Sequence, residues 1–287
     1  MKLRKELSRS IWNIGFLDIK SKDDLLSEWD IHLMKHHENK WFADPFILDV
    51  NDQEIKVLVE EMDFNREKGR IACLIVNRLN YELQNVEILL ELDTHLSFPA
   101  IIRRNDEVYV YPENSESGNL VLYKYDFKNR KLTKNRTIIN QPLTDAVYYK
   151  SKDGEYIFST QLPDPNGAKL NVYKRDLDNV YSRLQTVEFS DNTARNAGDI
   201  FELDELLIRP AQNCNGYYGI GIVFQQVLKD ETGFAFKEIG RVDVPHGYNG
   251  MHTFNTYKGV TVIDMRRPIH PFIHSSYMKM KKLLNGL

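Results

Sequence analysis

The sequence predicts an all-β protein, a five-bladed β-propeller, and three observations carry that expectation. Short alternating or β-branched runs recur with no helical stretch between them: EIKVLVEEM, GRIACLIV, EVYVYPE, NLVLYKYD, EYIFSTQ, KLNVYKRD, ELLIRPAQ, YGIGIVFQQV and GVTVIDM. Turn-forming residues precede several of them, as Asp106, Asp153 with Gly154, and Lys258 with Gly259 do. The units ADPF to LIVNRL, LSFPA to YDFK, TDAVYY to YKRD, NAGDIF to VLKD and MHTFN to IDM follow one another at intervals of roughly fifty residues, the spacing of propeller blades. A β-sandwich or barrel with regular hairpins is the competing arrangement. The propeller fits better because each unit opens on a polar or proline-containing segment, as a strand lining an axis would.

Taken in order, residues 1–40 fall outside the repeat and form a segment expected to pack on the propeller. Within it SKDDLLSEWDIHLM has the start signals of a short capped helix. Residues 41–268 hold the five repeats. Residues 269–287 make a basic amphipathic tail: from Arg266 the chain carries five basic residues and no acid, with Met278, Met280, Leu283 and Leu284 among Lys279, Lys281 and Lys282. Such a tail suits either a terminal helix packed on the propeller or contact with an anionic membrane surface.

Composition narrows the function classes. Charged residues make up 28% of the 287 and the hydrophobic set 42%, which is ordinary for a globular chain. A net charge of −3 gives no reason to expect nucleic acid. The basic start is followed by only a short apolar stretch broken at Asn13, so no signal peptide is expected, and no run approaches the roughly twenty apolar residues of a membrane span. Cys73 and Cys214 stand far apart without metal-ligand spacing and read as reduced thiols. The expectation is a cytoplasmic protein, at most peripheral to the inner face of a membrane.

Four constellations could carry chemistry. In WFADPF, Pro45 biases Asp44 toward an extended conformation that suits an acid aimed into an axial pocket, although a turn-capping carboxylate is the commoner meaning of such a string. TDAVYY puts Asp145 at a strand start two blades later, and Glu113, Glu60 and Glu61 add carboxylates near strand ends. Paired carboxylates across a sugar are what chemistry on a glycosidic bond needs, and a propeller can bring distant ones together. In LLIRPAQNCNGYYGIGI, Arg209 beside Gln212 and Asn213 suits bidentate anion binding or, equally, pairing with a core acid such as Asp44. Arg195 and Asn196 are placed to join it. His252 opens the last repeat, where a histidine is more often structural. There is no HxxxH, CxxC or phosphate-binding loop, so no cofactor is expected, although acidic clusters can hold a divalent ion.

FADPFIL, EEMDFNREKGRI, HLSFPA, YPENSESGNLVLY, TDAVYY, IRPAQNCNGYYG and MHTFNTYKGVTVID, in this order, resemble the amino-terminal propeller of plant glucosamine inositolphosphorylceramide transferases and of bacterial glycan-gene proteins. The resemblance spans residues 41–268 and is most specific at RPAQNCNGYYG. That domain is related in fold to the five-bladed furanosidases of glycoside hydrolase families 32, 43 and 68. The relation implies a base or nucleophile at Asp44, a second acid at Asp145, and a proton-donating glutamic acid in the fourth blade. The last has no convincing match: Glu202 and Glu205 lack a motif, and NAGDIF departs from the expected RPAG form, which leaves the role of Arg195 open. Without that acid an ordinary glycoside would have to lose an unprotonated alkoxide. A nucleotide sugar would not, since its diphosphate leaves readily and an arginine can stabilise it.

The resulting expectation is a glycosyltransferase of polysaccharide or glycolipid biosynthesis, acting on a nucleotide sugar donor and a glycan or lipid-linked acceptor. Asp44, Asp145 and Glu113 are its catalytic candidates; Glu61, Arg195, Arg209, Gln212 and His252 are its substrate-binding ones. A furanoside hydrolase and a non-catalytic glycan-binding propeller are the rival readings.

Overall fold

The computed structural model describes residues 10–35, 40–63 and 68–268. The basic tail expected over residues 269–287 lies outside them. The repeats become five four-stranded antiparallel sheets. Blade 1 contains β3 (Lys40–Val50), β4 (Glu54–Asp63), β5 (Arg70–Asn77) and β6 (Leu83–Leu90). Blade 2 contains β7 (Ser97–Arg104), β8 (Glu107–Glu113), β9 (Leu120–Asp126) and β10 (Lys131–Ile139). Blade 3 contains β11 (Leu143–Ser151), β12 (Gly154–Gln161), β13 (Lys169–Arg175) and β14 (Tyr181–Glu188). Blade 4 contains β15 (Phe201–Leu203), β16 (Leu206–Gln212), β17 (Gly221–Asp230) and β18 (Gly233–Asp243).

Blade 5 corrects the sequence expectation for residues 1–40. Its order is β19 (Phe254–Tyr257), β20 (Val260–Pro268), β1 (Ser10–Leu17) and β2 (His32–Leu33). Within the segment expected to pack on the propeller, residues 10–17 and 32–33 are therefore part of the propeller itself, as two strands of its last blade. The physical reason lies in the pattern of β1, SIWNIGFL: Ile14, Phe16 and Leu17 are buried, and a strand with so apolar a face covers the otherwise bare edge of β20. Between β1 and β2 the helical signal is realised only as α1 (Lys22–Leu26). Ser21 and Asp24 exchange side-chain-to-backbone bonds in a capping box at its start.

The apolar side chains form a ring of interfaces between neighbouring blades. Phe46 and Leu58 of blade 1 pack with Phe98 and Tyr111 of blade 2, in a cluster that extends to Val147 and Ile157 of blade 3. Phe158 and Val172 meet Val227 and Phe234 between blades 3 and 4. Phe224 and Ile222 meet Phe254 and Ile263 between blades 4 and 5. Ile14, Phe16 and Val262 meet Phe42 and Val57 where blade 5 closes on blade 1. With the hydrophobic core taken up between blades, buried polar side chains are left for the axis.

Candidate functional site

The innermost strands of blades 1, 2 and 3 share one local device. Each carries a β-bulge near its start, between Ala43 and Phe46, Ser97 and Ala100, and Thr144 and Val147. Within the bulges Asp44, Phe98 and Asp145 take left-handed φ values of 52°, 44° and 44°. A bulge of this kind re-aims one side chain out of the pleat and frees one backbone N–H. Each freed N–H is met by a carboxylate of the preceding blade. Asp44 N donates to Asp264 Oδ2 at 3.1 Å, Phe98 N to Asp44 Oδ2 at 3.0 Å, and Asp145 N to Glu113 Oε2 at 2.9 Å.

Asp44 is the centre of the first cluster. Its Oδ1 accepts from Thr253 Oγ1 at 2.9 Å and lies 3.4 Å from His252 Nε2. Burial pushes its carboxyl up to about 7 against the pull of His252, with the charges of Glu60, Asp145 and Asp264 adding to the rise. On the other side of the imidazole, Nδ1 lies 2.5 Å from Asp264 Oδ2, a contact poorly directed for a hydrogen bond. Burial alone would discharge His252, but Asp264 and Asp44 hold its pKa above the ordinary value. Asp264 is fully buried and also accepts the N–H groups of His252 and Thr253 at 2.9 and 3.0 Å. Against the cost of burial, His252 and these donors keep it ionised. Trp12 of β1 stacks on the His252 ring at 4.3 Å. Asp44, His252 and Asp264 are the one group of potential metal ligands among the described residues. They are closed on one another, with both imidazole nitrogens facing carboxylates, and so form an ion-paired triad.

The second cluster surrounds Asp145. Arg195 Nε donates to Asp145 Oδ2 at 2.5 Å and its Nη1 to Asn166 Oδ1 at 2.7 Å, while its guanidinium sits 4.8 Å over the Tyr218 ring. Gln212 Nε2 donates to the same carboxylate oxygen at 2.6 Å. Asn196 Nδ2 donates to the carbonyl of Asp145 at 2.6 Å. Burial and the neighbouring charge of Asp145 hold the Glu113 carboxyl well above the usual range, against the pull of Arg195. Tyr218 touches both clusters, edge-on to His252 at 5.0 Å. Gly198 permits this convergence: a Cβ there would lie 2.0 Å from the Phe254 carbonyl of blade 5.

Asp44, Asp145, Glu113, Arg195, Gln212 and His252 thus belong to one axial region, in which Asp44 and His252 both feel the charge of Asp145. Two sequence candidates do not. Arg209 is fully buried and spends its guanidinium inside blade 4. Its Nε donates to Asn196 Oδ1 at 2.8 Å, its Nη1 to Gln225 Oε1 and its Nη2 to the Ala194 carbonyl, with Phe189 and Phe236 stacked near it. Neither the anion site nor the pairing with Asp44 is present; Arg209 braces the loop that presents Arg195 and Asn196. Glu61 is likewise consumed, by Lys40 at 2.9 Å and by both Nε and Nη2 of Arg70. Its neighbour Glu60 is the one whose charge reaches Asp44. Glu60 pairs with His95 Nε2 at 3.1 Å, and the His95 Nδ1 accepts Gly69 N–H at 3.0 Å.

Sequence reasoning missed Asp264, Trp12, Tyr218 and His95. Only Asp264 left a signal, an acid inside the apolar strand VTVIDM. The fourth blade presents Arg195, Asn196 and Gln212 at the level of Asp145. Glu202, within β15, and Glu205, in the turn that follows it, are exposed, and Asp199 is pushed to about 7 by burial against the pull of Arg103.

Residues 31–266 match the family described as glucosamine inositolphosphorylceramide transferase 1, N-terminal. The chain belongs to this family. It is 23% identical over 215 residues to glucosamine inositolphosphorylceramide transferase 1 of Oryza sativa subsp. indica, covering 71% of this chain. It is 29% identical over 221 residues to the Arabidopsis thaliana protein of the same name, covering 72%. In both cases the match spans 28% of the relative's length. Among solved structures, a family 43 glycoside hydrolase, a β-1,3-galactosidase with galactodeoxynojirimycin, superposes with a TM-score of 0.58 at 9% identity, covering 75% of this chain and 84% of that one. A family 43 β-xylosidase/α-arabinofuranosidase from a compost metagenome, in complex with xylotriose, gives 0.54 at 13%, covering 78% and 86%. These likenesses show that this chain has the propeller fold of the family 43 enzymes.

Proposed function

We propose that this member of the family is a glycosyltransferase of polysaccharide or glycolipid assembly, working at the axial site on an activated sugar. The observation that carries the reading is the setting of Asp44. It is a carboxyl poised near neutrality, aimed inward by its bulge and flanked by His252 and by the Asp145–Arg195 pair. A base with that pKa is matched to taking a proton from an acceptor hydroxyl. In the step, the acceptor oxygen passes its proton to Asp44 and bonds to the anomeric carbon, and the donor's diphosphate departs with the bonding pair. Arg195 replaces Arg209 as the cation for that group: among the described residues nothing engages its Nη2. The transferase names of the relatives support this reading, and the groups that this part of the chain sets against Asp145 are a guanidinium and two amides, Arg195, Asn196 and Gln212, which favours a leaving group that needs a cation and not a proton. Cytoplasmic placement and a lipid-linked acceptor belong to the same proposal.

A purified chain incubated with a panel of nucleotide sugars and glycan acceptors, with products read by mass spectrometry, tests it. Asp44→Asn is expected to lower transfer at least a hundredfold with its melting temperature little changed at neutral pH, and Arg195→Ala to weaken donor binding. Full activity in Asp44→Asn overturns the assignment. Release of free sugar from simple glycosides in place of transfer would identify a hydrolase using Glu113 as its proton donor. Binding without turnover would identify a glycan-presenting module, a reading favoured by the chain's correspondence to 28% of its relatives' length.

A further inference from the structure

Blade 3 holds a groove of about 380 Å³ separate from the axial clusters, lined by Gln141, Pro142, Gln161, Leu162, Tyr173 and Arg183. Two amides meet in it at one buried phenol: the Tyr173 hydroxyl lies 3.0 Å from the Gln141 side-chain oxygen and 3.2 Å from that of Gln161. A hydroxyl has a single proton, so it can donate to only one of them, and the other amide must turn its NH₂ toward the phenol oxygen. Fixed in this way, the pair keeps three side-chain N–H bonds that the phenol does not use, together with carbonyl capacity. The apolar surfaces of Pro142 and half-exposed Leu162 lie alongside. Arg183 completes the lining from β14, directly across from Tyr173 in the sheet register. No carboxylate lines the groove, and among the described residues no hydrogen bond or ion pair engages the Arg183 guanidinium.

The groove is also placed to serve the axis. Gln161 ends β12 and pairs in register with Leu143, which lies two residues before Asp145, roughly 7 Å along a strand. Planar amides, an apolar patch and an uncommitted guanidinium together match a pyranose ring that carries a carboxylate. The amides take hydroxyls, the apolar surface takes the C–H face, and the guanidinium takes the acid through two parallel N–H bonds. We infer that this groove is a second carbohydrate subsite, selective for a uronate residue of an oligosaccharide whose reacting end lies at the axial site. The inference rests on the chain handling sugars, as proposed above, but not on which chemistry occurs at Asp44.

Calorimetric titration of the Asp44→Asn protein with a glucuronate-containing oligosaccharide and with its glucose counterpart separates the two questions, since turnover plays no part. The uronate ligand is expected to bind at least tenfold more tightly than the neutral one. Arg183→Ala should erase that difference, Arg183→Lys should restore part of it, and Gln161→Ala should weaken both ligands. These positions are partly or fully exposed, so the variants should fold as the parent does. Equal affinity for the two ligands in the parent overturns the selectivity, and binding insensitive to both Arg183→Ala and Gln161→Ala overturns the subsite. Loss of transfer in Asp44→Asn with no oligosaccharide binding at all would overturn the subsite while leaving the axial proposal standing.

Discussion

A carboxyl poised near pH 7 leaves a signature in stability as well as in activity. Asp44 is raised from an ordinary value near 3.8 to about 7, so between those limits the folded protein holds a proton that the unfolded chain has released. Its contribution to stability is therefore full below about pH 4 and fades as pH rises to 7. His252, also raised, fades in the same direction. Asp44→Asn removes only the first share, so the variant's melting temperature relative to the parent should climb between about pH 5 and pH 8, by an amount corresponding to roughly 2–4 kcal/mol. Thermal melts at the two pH values check this, and a pH-independent difference would mean that Asp44 is ionised throughout. Transfer itself should rise with pH through about 7 as the base is freed. Arg209 shows the limit of reading single residues from sequence. The run LLIRPAQ announces a guanidinium beside amides, and the structure has both, but turned inward: Gln225 and the Ala194 carbonyl, which meet it, stand 16 and 15 residues away, beyond the reach of any local pattern. Arg209→Lys should accordingly cost about 2–4 kcal/mol of stability while leaving nucleotide affinity intact. A stable variant that had lost nucleotide binding would restore the anion-site reading.

At the scale of the strand, catalytic geometry and folding geometry are the same feature. The strings ADP, SFP and TDA, each followed by an apolar residue, mark the repeat in the sequence, and their polar or proline-containing character is why five units could be counted. That each centres on a residue with φ near 50° was not legible. Aspartate and phenylalanine do not advertise the left-handed region as glycine does, and what makes it tolerable is a carboxylate from another blade. Glu113 gives a clean test of that dependence. Glu113→Gln keeps an acceptor for the Asp145 N–H and should leave stability nearly unchanged, whereas Glu113→Ala orphans the donor and should cost about 1–3 kcal/mol. Denaturant unfolding of the pair measures the difference, and equal losses in both would show that an amide cannot stand in for the carboxyl at this position. The acid cluster was legible as composition, in Asp44, Asp145 and Glu113. The choice between Glu60 and Glu61 was not, because neighbours in a strand point to opposite faces and nothing local to VEEMD says which face of β4 meets the axis.

The whole molecule depends on a closure that sequence periodicity could not reveal, since repeats are counted along the chain while a ring must join its two ends. β1 pairs with β20 over eight residues, from Ser10 opposite Pro268 to Leu17 opposite Thr261, and so completes blade 5. That strand buries Trp12, Ile14, Phe16 and Leu17, and at about 1.5–3 kcal/mol for each large apolar side chain the contribution is roughly 6–12 kcal/mol. Such a sum rivals the entire stability of an ordinary domain. The closure also reaches the site, because Trp12 stacks on His252 and Ile14 sits opposite Asp264 in the ladder. Deleting residues 1–17 should therefore leave a protein that keeps much of its β signal in far-ultraviolet circular dichroism but loses its near-ultraviolet spectrum and its cooperative melt. It should also aggregate through the bared edge of β20. A synthetic peptide of residues 8–20 supplied in trans should restore a cooperative transition, because the contact is a strand pairing that needs no covalent continuity. Restoration by the native peptide but not by one with Ile14→Asp would place the effect in the buried face. A truncated protein that melts within a few degrees of the parent would show that blades 1 to 4 hold the ring without it.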